Sequence, residues 1–131
     1  MAANKKKKIK KTAPKKIEKG RVYISSSFNN TLITVTDEEG NALVWSSSGN
    51  AGFKGTRRAT PFAATTAVDK IVNAAKQNHE LKEVEIFIKG PGPGRDAALR
   101  AIRAAGLKIS MIADLTPIPH NGPRPKKKRK V

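Results

Sequence analysis

The segment of this chain best equipped for chemistry is Gly90-Pro91-Gly92-Pro93-Gly94-Arg95, which follows Lys89. The chemistry it suggests is anion binding. Glycines let backbone N–H groups approach an anion, prolines hold a loop open, and a helix start supplies unpaired amides. Arg95 adds a charge-assisted donor. The Gly-Lys-Ser/Thr ending of a nucleotide-binding P-loop is absent. A Gly-Pro connection can equally be only a rigid turn, and both readings stand. Beyond it, Arg100 and Arg103 share one face of a helix and extend the basic surface from Arg95.

A second segment, residues 48 to 59 (SGNAGFKGTRRA), holds three glycines and three cations and no carboxylate. Gly52 and Gly55 with Lys54, Arg57 and Arg58 suit an irregular phosphate surface. Phe53 either stacks on a base or anchors the loop, and the anchor is favoured. Only six aromatics occur in the chain, too few for a platform that stacks single strands. Trp45 and Tyr23 are therefore read as packing residues.

Other chemistry finds little support. There are no cysteines, which removes disulfides, thiolate metal sites and thiol nucleophiles together. His79 and His120 stand far apart with no ligand spacing, so no protein-held metal, cofactor or Ser/His/Asp set is expected. Asp37, Glu38 and Glu39 read as a solvated turn, Asp69 and Asp96 fall on helices, and Asp114 ends a strand. A two-metal nuclease needs carboxylates gathered on a sheet, and this chain offers serines in the centre of its first strand.

Those segments need elements to hold them. Residues 21 to 28 alternate, with Val22, Ile24 and Phe28 pointing one way, which predicts a strand. Asn29-Asn30 is a turn pair. Residues 31 to 36 and 41 to 47 predict two more strands joined through Asp37-Glu38-Glu39-Gly40, making an antiparallel meander. Thr60-Pro61 reads as an N-cap followed by proline at the first helical position. Phe62, Val68, Ile71, Val72 and Ala75 keep helical spacing to about Gln77. Residues 83 to 89 predict a strand, 95 to 105 a helix capped by Gly106, and 107 to 115 a last strand. The order βββαβαβ implies right-handed crossovers between parallel strands. The fold class is α/β: a mixed five-stranded sheet of ribonuclease H-like architecture without a catalytic site.

Charge divides the chain further. The net charge is +17, which calls for a polyanionic partner, nucleic acid first and an anionic membrane surface second. No apolar run approaches the roughly 20 residues that span a bilayer, and no secretory signal is visible. Residues 1 to 21 contribute +9, residues 117 to 131 contribute +6, and the 95 residues between them only +2. Three parts follow: a basic extension over 1–20, a globular domain over 21–116 and a basic tail over 117–131. Runs such as Lys5, Lys6, Lys7 and Lys8, with Lys10 and Lys11, or Lys126, Lys127, Lys128, Arg129 and Lys130, cannot fold alone. Against phosphates they would order and release counterions.

Several longer motifs have a family likeness. FNNT at 28–31, GNA at 40–42, GFKGTRRATPFAA at 52–64, KGPGPGRD at 89–96 and TPIPHNGPRP at 116–125 closely resemble the bacterial-type small-subunit ribosomal protein eleven family. The likeness covers about residues 20 to 131. It implies a structural, non-enzymatic role in the cytoplasmic ribosome, supporting translation, without cofactor or homo-oligomer. It implies a place on the small-subunit platform, bound to small-subunit ribosomal RNA. The messenger RNA exit side and the Shine–Dalgarno region would lie near, with ribosomal proteins seven, eighteen and twenty-one as neighbours. The RNA-binding positions it carries over are Asn29, Asn30, Gly52 to Arg58, Gly90 to Arg95, and His120, Asn121, Gly122 and Arg124 with the basic end. This chain departs from the pattern at Pro123, where the family more often has a small residue, and in its lysine-rich finish.

Residues 125 to 131 also resemble a monopartite nuclear import signal, which would make a chromatin protein the competing class; that reading explains only those seven residues. Asn121-Gly122 is a pair prone to deamidation and isoaspartate formation.

Overall fold

The computed structural model describes residues 16–128. The expectations placed on Lys5, Lys6, Lys7, Lys8, Lys10, Lys11, Arg129 and Lys130 lie outside the described residues.

Alternation builds the sheet. Strand β1 (Lys19–Ser26), β2 (Thr31–Thr36) and β3 (Ala42–Ser47) form the antiparallel meander, and β4 (Glu83–Lys89) and β5 (Lys108–Asp114) add in parallel on the far side of β1, giving the order β3-β2-β1-β4-β5. The element order is βββαβαβ, as the sequence implies. Val22, Ile24, Ile33, Val35, Val84, Ile86 and Ile88 are buried on one face. Helices α1 (Pro61–His79) and α2 (Gly94–Ala104) both pack there. Ala64, Ala67 and Ala75 line α1 with small side chains, which lets the helix come close to the sheet. No described element covers the other sheet face, where Tyr23 and Phe87 stack with ring centroids 5.1 Å apart.

The capping signals operate as read. The Thr60 hydroxyl accepts from the Ala63 N–H, and Pro61 opens α1. Gly106 (φ +84°) follows α2, and its N–H donates to the Arg103 carbonyl. Lys76 of α1 donates to the Ala105 carbonyl just past α2, tying the two helices together. Asp37 accepts from the Glu39 and Asn41 N–H groups and shapes the β2–β3 turn.

Three aromatic expectations need correction. Phe28 is 72% exposed because β1 ends at Ser26 and the chain turns at once, with Ser27 N–H donating to the Asn30 carbonyl. Phe62 is 70% exposed. At about 100° per residue it sits roughly 160° around α1 from Ala64, off the buried stripe. Trp45, read as packing, is 66% exposed. Val44 packs against the core and Trp45 takes the alternate, uncovered face of the edge strand β3.

Candidate nucleic-acid interface

Sheet direction decides what the segments can do together. Ser26 pairs with Thr31, Ser25 with Lys89, Ile88 with Asp114 and Leu32 with Ser47. The 27–30 turn, the 48–60 loop, the 90–94 loop and the tail after Asp114 therefore all leave the sheet at the same end. Segments spread over almost a hundred residues of sequence become neighbours. The opposite end collects carboxylates: Glu18, Asp37, Glu38, Glu39, Glu80 and Glu83 lie before β1, between β2 and β3, after α1 and at the start of β4. A hollow of about 360 Å³ at that end is lined by Glu18, Asp37, Glu38 and Glu39 with Lys16 and Lys19. The domain is near neutral in sum but polarised along the strands.

The two glycine-rich loops differ in where their glycines face. A Cβ on Gly90 would run into the Ser26 carbonyl, one on Gly92 into the Ser26 hydroxyl and the Ser27 carbonyl, and one on Gly94 into the Thr31 hydroxyl, each closer than 3.0 Å. Gly90 also holds φ at +95°. These glycines let the loop pack against the end of the β1–β2 hairpin, and there the close backbone approach serves the fold. Gly52 (φ +101°) and Gly55 (φ +61°) face open space, and a Cβ on either would meet nothing within 4 Å. The 52–58 segment is where another backbone can come near.

Lys54 and Arg57 are exposed there, and Arg58 is half-buried with its Nε donating to the Gly55 carbonyl at 3.3 Å. Arg57 and Arg58 belong to a short 3₁₀ turn, Gly55–Ala59, with Lys54 at its N-cap, that leads into Thr60. Phe53 meets Phe62 edge-on at 5.8 Å. It anchors the loop to the exposed start of α1 and not to the core. Asn29 is exposed, and both its N–H and that of Asn30 donate to the Ser27 hydroxyl. The Asn30 side chain accepts from the Thr31 N–H at 2.9 Å, so it holds the turn.

Arg95, read as a charge-assisted donor, has two partners within the fold. Its Nη1 donates to the Gly90 carbonyl at 2.9 Å and its Nη2 to Asp114 at 2.8 Å. Asp114 also accepts from the Thr116 hydroxyl at 2.6 Å and the Thr116 N–H at 2.9 Å. Donation by the Thr116 hydroxyl, then by Arg95, holds the Asp114 carboxyl well below the usual carboxylate range. Sequence reasoning missed Asp114 and Thr116; the Thr-Pro start of the tail motif was the available signal. Lys89, Arg100 and Arg103 are exposed, the last in the final turn of α2. Residues 117 to 128, with His120, Asn121, Gly122, Arg124, Lys126, Lys127 and Lys128, are exposed throughout.

Among the described residues no three His, Asp or Glu side chains form a group able to hold a metal ion. No helix among them is long and apolar enough to cross a membrane.

The described residues form a small α/β domain that sends cationic loops and a cationic tail from one end and keeps most of its carboxylates, with lysines among them, at the other. The chain belongs to the ribosomal protein S11 family, whose model matches residues 20–130. It is similar to the small ribosomal subunit protein uS11 of Pseudoalteromonas atlantica, 54% identical over 125 residues, 95% of each chain. It is likewise similar to the uS11 proteins of Shewanella sp. (strain ANA-3) and Shewanella oneidensis, 53% identical over 122 residues, 93% of each chain. It is a structural component of the small ribosomal subunit and not an enzyme.

Proposed function

We propose that this component binds small-subunit ribosomal RNA on the platform, near the messenger RNA exit side and the Shine–Dalgarno region, with ribosomal proteins seven, eighteen and twenty-one as neighbours. The RNA contacts would come from Lys54, Arg57 and Arg58 beside the open glycines, from Asn29, from Lys89, Arg100 and Arg103, and from the tail after Pro117. The basic ends at residues 5–11 and 126–130 would follow RNA outward. One observation carries the reading: the segments that hold Asn29, Lys54, Arg57, Arg58, Lys89 and the tail leave the sheet at a single end, away from most of the carboxylates, while Arg100 and Arg103 lie along α2 as it runs back from that end. Long-range attraction and short-range docking then point the same way.

The test is salt-dependent binding to the RNA of the small subunit. With about 6 to 10 phosphates engaged, raising salt from about 50 to 200 mM weakens binding by roughly 10³- to 10⁵-fold. A flat response contradicts the reading, and preferential retention on duplex DNA would favour the chromatin alternative. Cross-linking the chain to ribosomal proteins seven, eighteen and twenty-one in assembled subunits tests the neighbours.

A further inference from the structure

A carboxylate at the RNA-facing end opposes phosphate binding unless it has another task. Asp96 has one, because it sits in the first turn of α2, where a negative charge complements the helix dipole. Asp114 sits in a closed ring of hydrogen bonds. The Gly90 N–H donates to the Thr116 hydroxyl at 3.2 Å, that hydroxyl donates to Asp114, Arg95 donates to Asp114, and Arg95 donates back to the Gly90 carbonyl. The Leu115 N–H donates to the Ile88 carbonyl at 2.7 Å, the last sheet contact before the tail.

We propose that Asp114 is a positioning residue for RNA binding: it fixes the departure of the cationic tail against the Gly90–Arg95 loop and so aims the tail. The proposal rests on the RNA-binding reading above. Prolines 117, 119, 123 and 125 follow directly and fix φ at four positions, and between the proline pairs the chain bends at His120–Pro123, where Asn121 holds φ at +54°. At about 3.1 Å per residue, a fully extended segment from Pro117 to Lys128 would span roughly 37 Å, and the bend at His120–Pro123 holds the tail short of that. A swing of about 10° at Thr116 therefore carries the far lysines by up to about 6 Å, several ångströms being enough to lose a hydrogen bond to a phosphate. The ring sets direction, and the prolines transmit it.

Simple electrostatics and this proposal differ in sign. Removing a negative charge near RNA should tighten binding. If Asp114 aims the tail, Asp114→Ala weakens it, by about three- to tenfold on the usual scale of coupled sites. The experiment measures affinity for small-subunit ribosomal RNA in the full chain and in a chain with Lys126, Lys127, Lys128, Arg129 and Lys130 changed to Gln. The expected loss appears with the native tail and vanishes with the Gln-substituted one. Thr116→Val cuts the same ring without changing charge and gives the same pattern. Unchanged or tighter binding, or an equal loss in both chains, overturns the proposal.

A second readout does not depend on RNA. The chain has one tryptophan, Trp45, and no cysteine, so a dye on Lys128→Cys reports the Trp45-to-tail distance by energy transfer. Asp114→Ala should broaden that distance distribution; an unchanged distribution overturns the proposal. If the wild-type chain binds no ribosomal RNA, the RNA reading fails by itself, and the distance measurement still decides whether Asp114 aims the tail.

Discussion

Gly92 rests on Ser26 with no room for a methyl group between them: a Cβ there would meet the serine hydroxyl and the Ser27 carbonyl closer than 3.0 Å. The Gly92 N–H also donates to the Ser26 carbonyl at 3.2 Å. The Gly-Pro segment is thus a backbone-on-backbone joint that seats the start of α2 on the β1–β2 hairpin. Gly90→Ala should cost about 2–4 kcal/mol, combining overpacking with left-handed strain. Gly40→Ala, where φ is +96° but nothing lies within 4 Å, should cost about 1 kcal/mol. Thermal melts of the two variants check this; equal shifts would mean that packing at Gly90 contributes nothing beyond φ.

That joint shows where sequence reading stops. Period-two alternation found β1 and β4, apolar and β-branched runs between turn signals found the other three strands, and Thr60-Pro61 and Gly106 marked helix ends, because those signals are local. The convergence of residues 27–30, 48–60, 90–94 and the tail is set by strand order and register, which link positions far apart. Glycine has no side chain to show which way it faces, so Gly90 and Gly52 look alike in sequence and act oppositely in space. Phe28, Trp45 and Phe62 were misread because a large aromatic suggests burial, while their placement depended on where β1 ended and which face α1 turned inward.

Arg57 and Arg58 test the open loop. Beyond the exposed bond from Arg58 to the Gly55 carbonyl, their side chains hold little of the fold. Arg57→Ala with Arg58→Ala should flatten the salt dependence of RNA binding by about two in log–log slope, one per phosphate contact. The melting temperature should hardly move. A large fall in it would make both residues structural.

Trp45 gives a direct check of the uncovered sheet face. As the only tryptophan, at 66% exposure, it should emit at long wavelength and be quenched by acrylamide almost as readily as a free indole. A blue-shifted signal shielded from acrylamide would place it in a packed site.

Asn121 combines two features that favour succinimide closure: Gly122 follows it without a side chain to hinder the attacking nitrogen, and the pair is exposed. Isoaspartate should accumulate there in aged chain and be slower in Gly122→Val. Peptide mapping that recovers only intact Asn121 after long incubation at neutral pH would refute this.

The pH response of the ring follows from its donors. The Thr116 hydroxyl, Arg95 and the Thr116 N–H stabilise the ionised Asp114 carboxyl, and its folded pKa lies below the unfolded value near 3.9. The ring's contribution is therefore complete above the unfolded pKa and lost only as pH falls through the lower, folded one. From neutral pH down to about 4 the Asp114 carboxyl carbon should show a flat NMR titration. Thr116→Val removes the strongest donor and should move the midpoint up toward 3.9. A wild-type midpoint already at the unfolded value would mean that Arg95 and Thr116 do not hold the carboxylate in solution. The tail would then leave the sheet at Asp114 with no fixed direction.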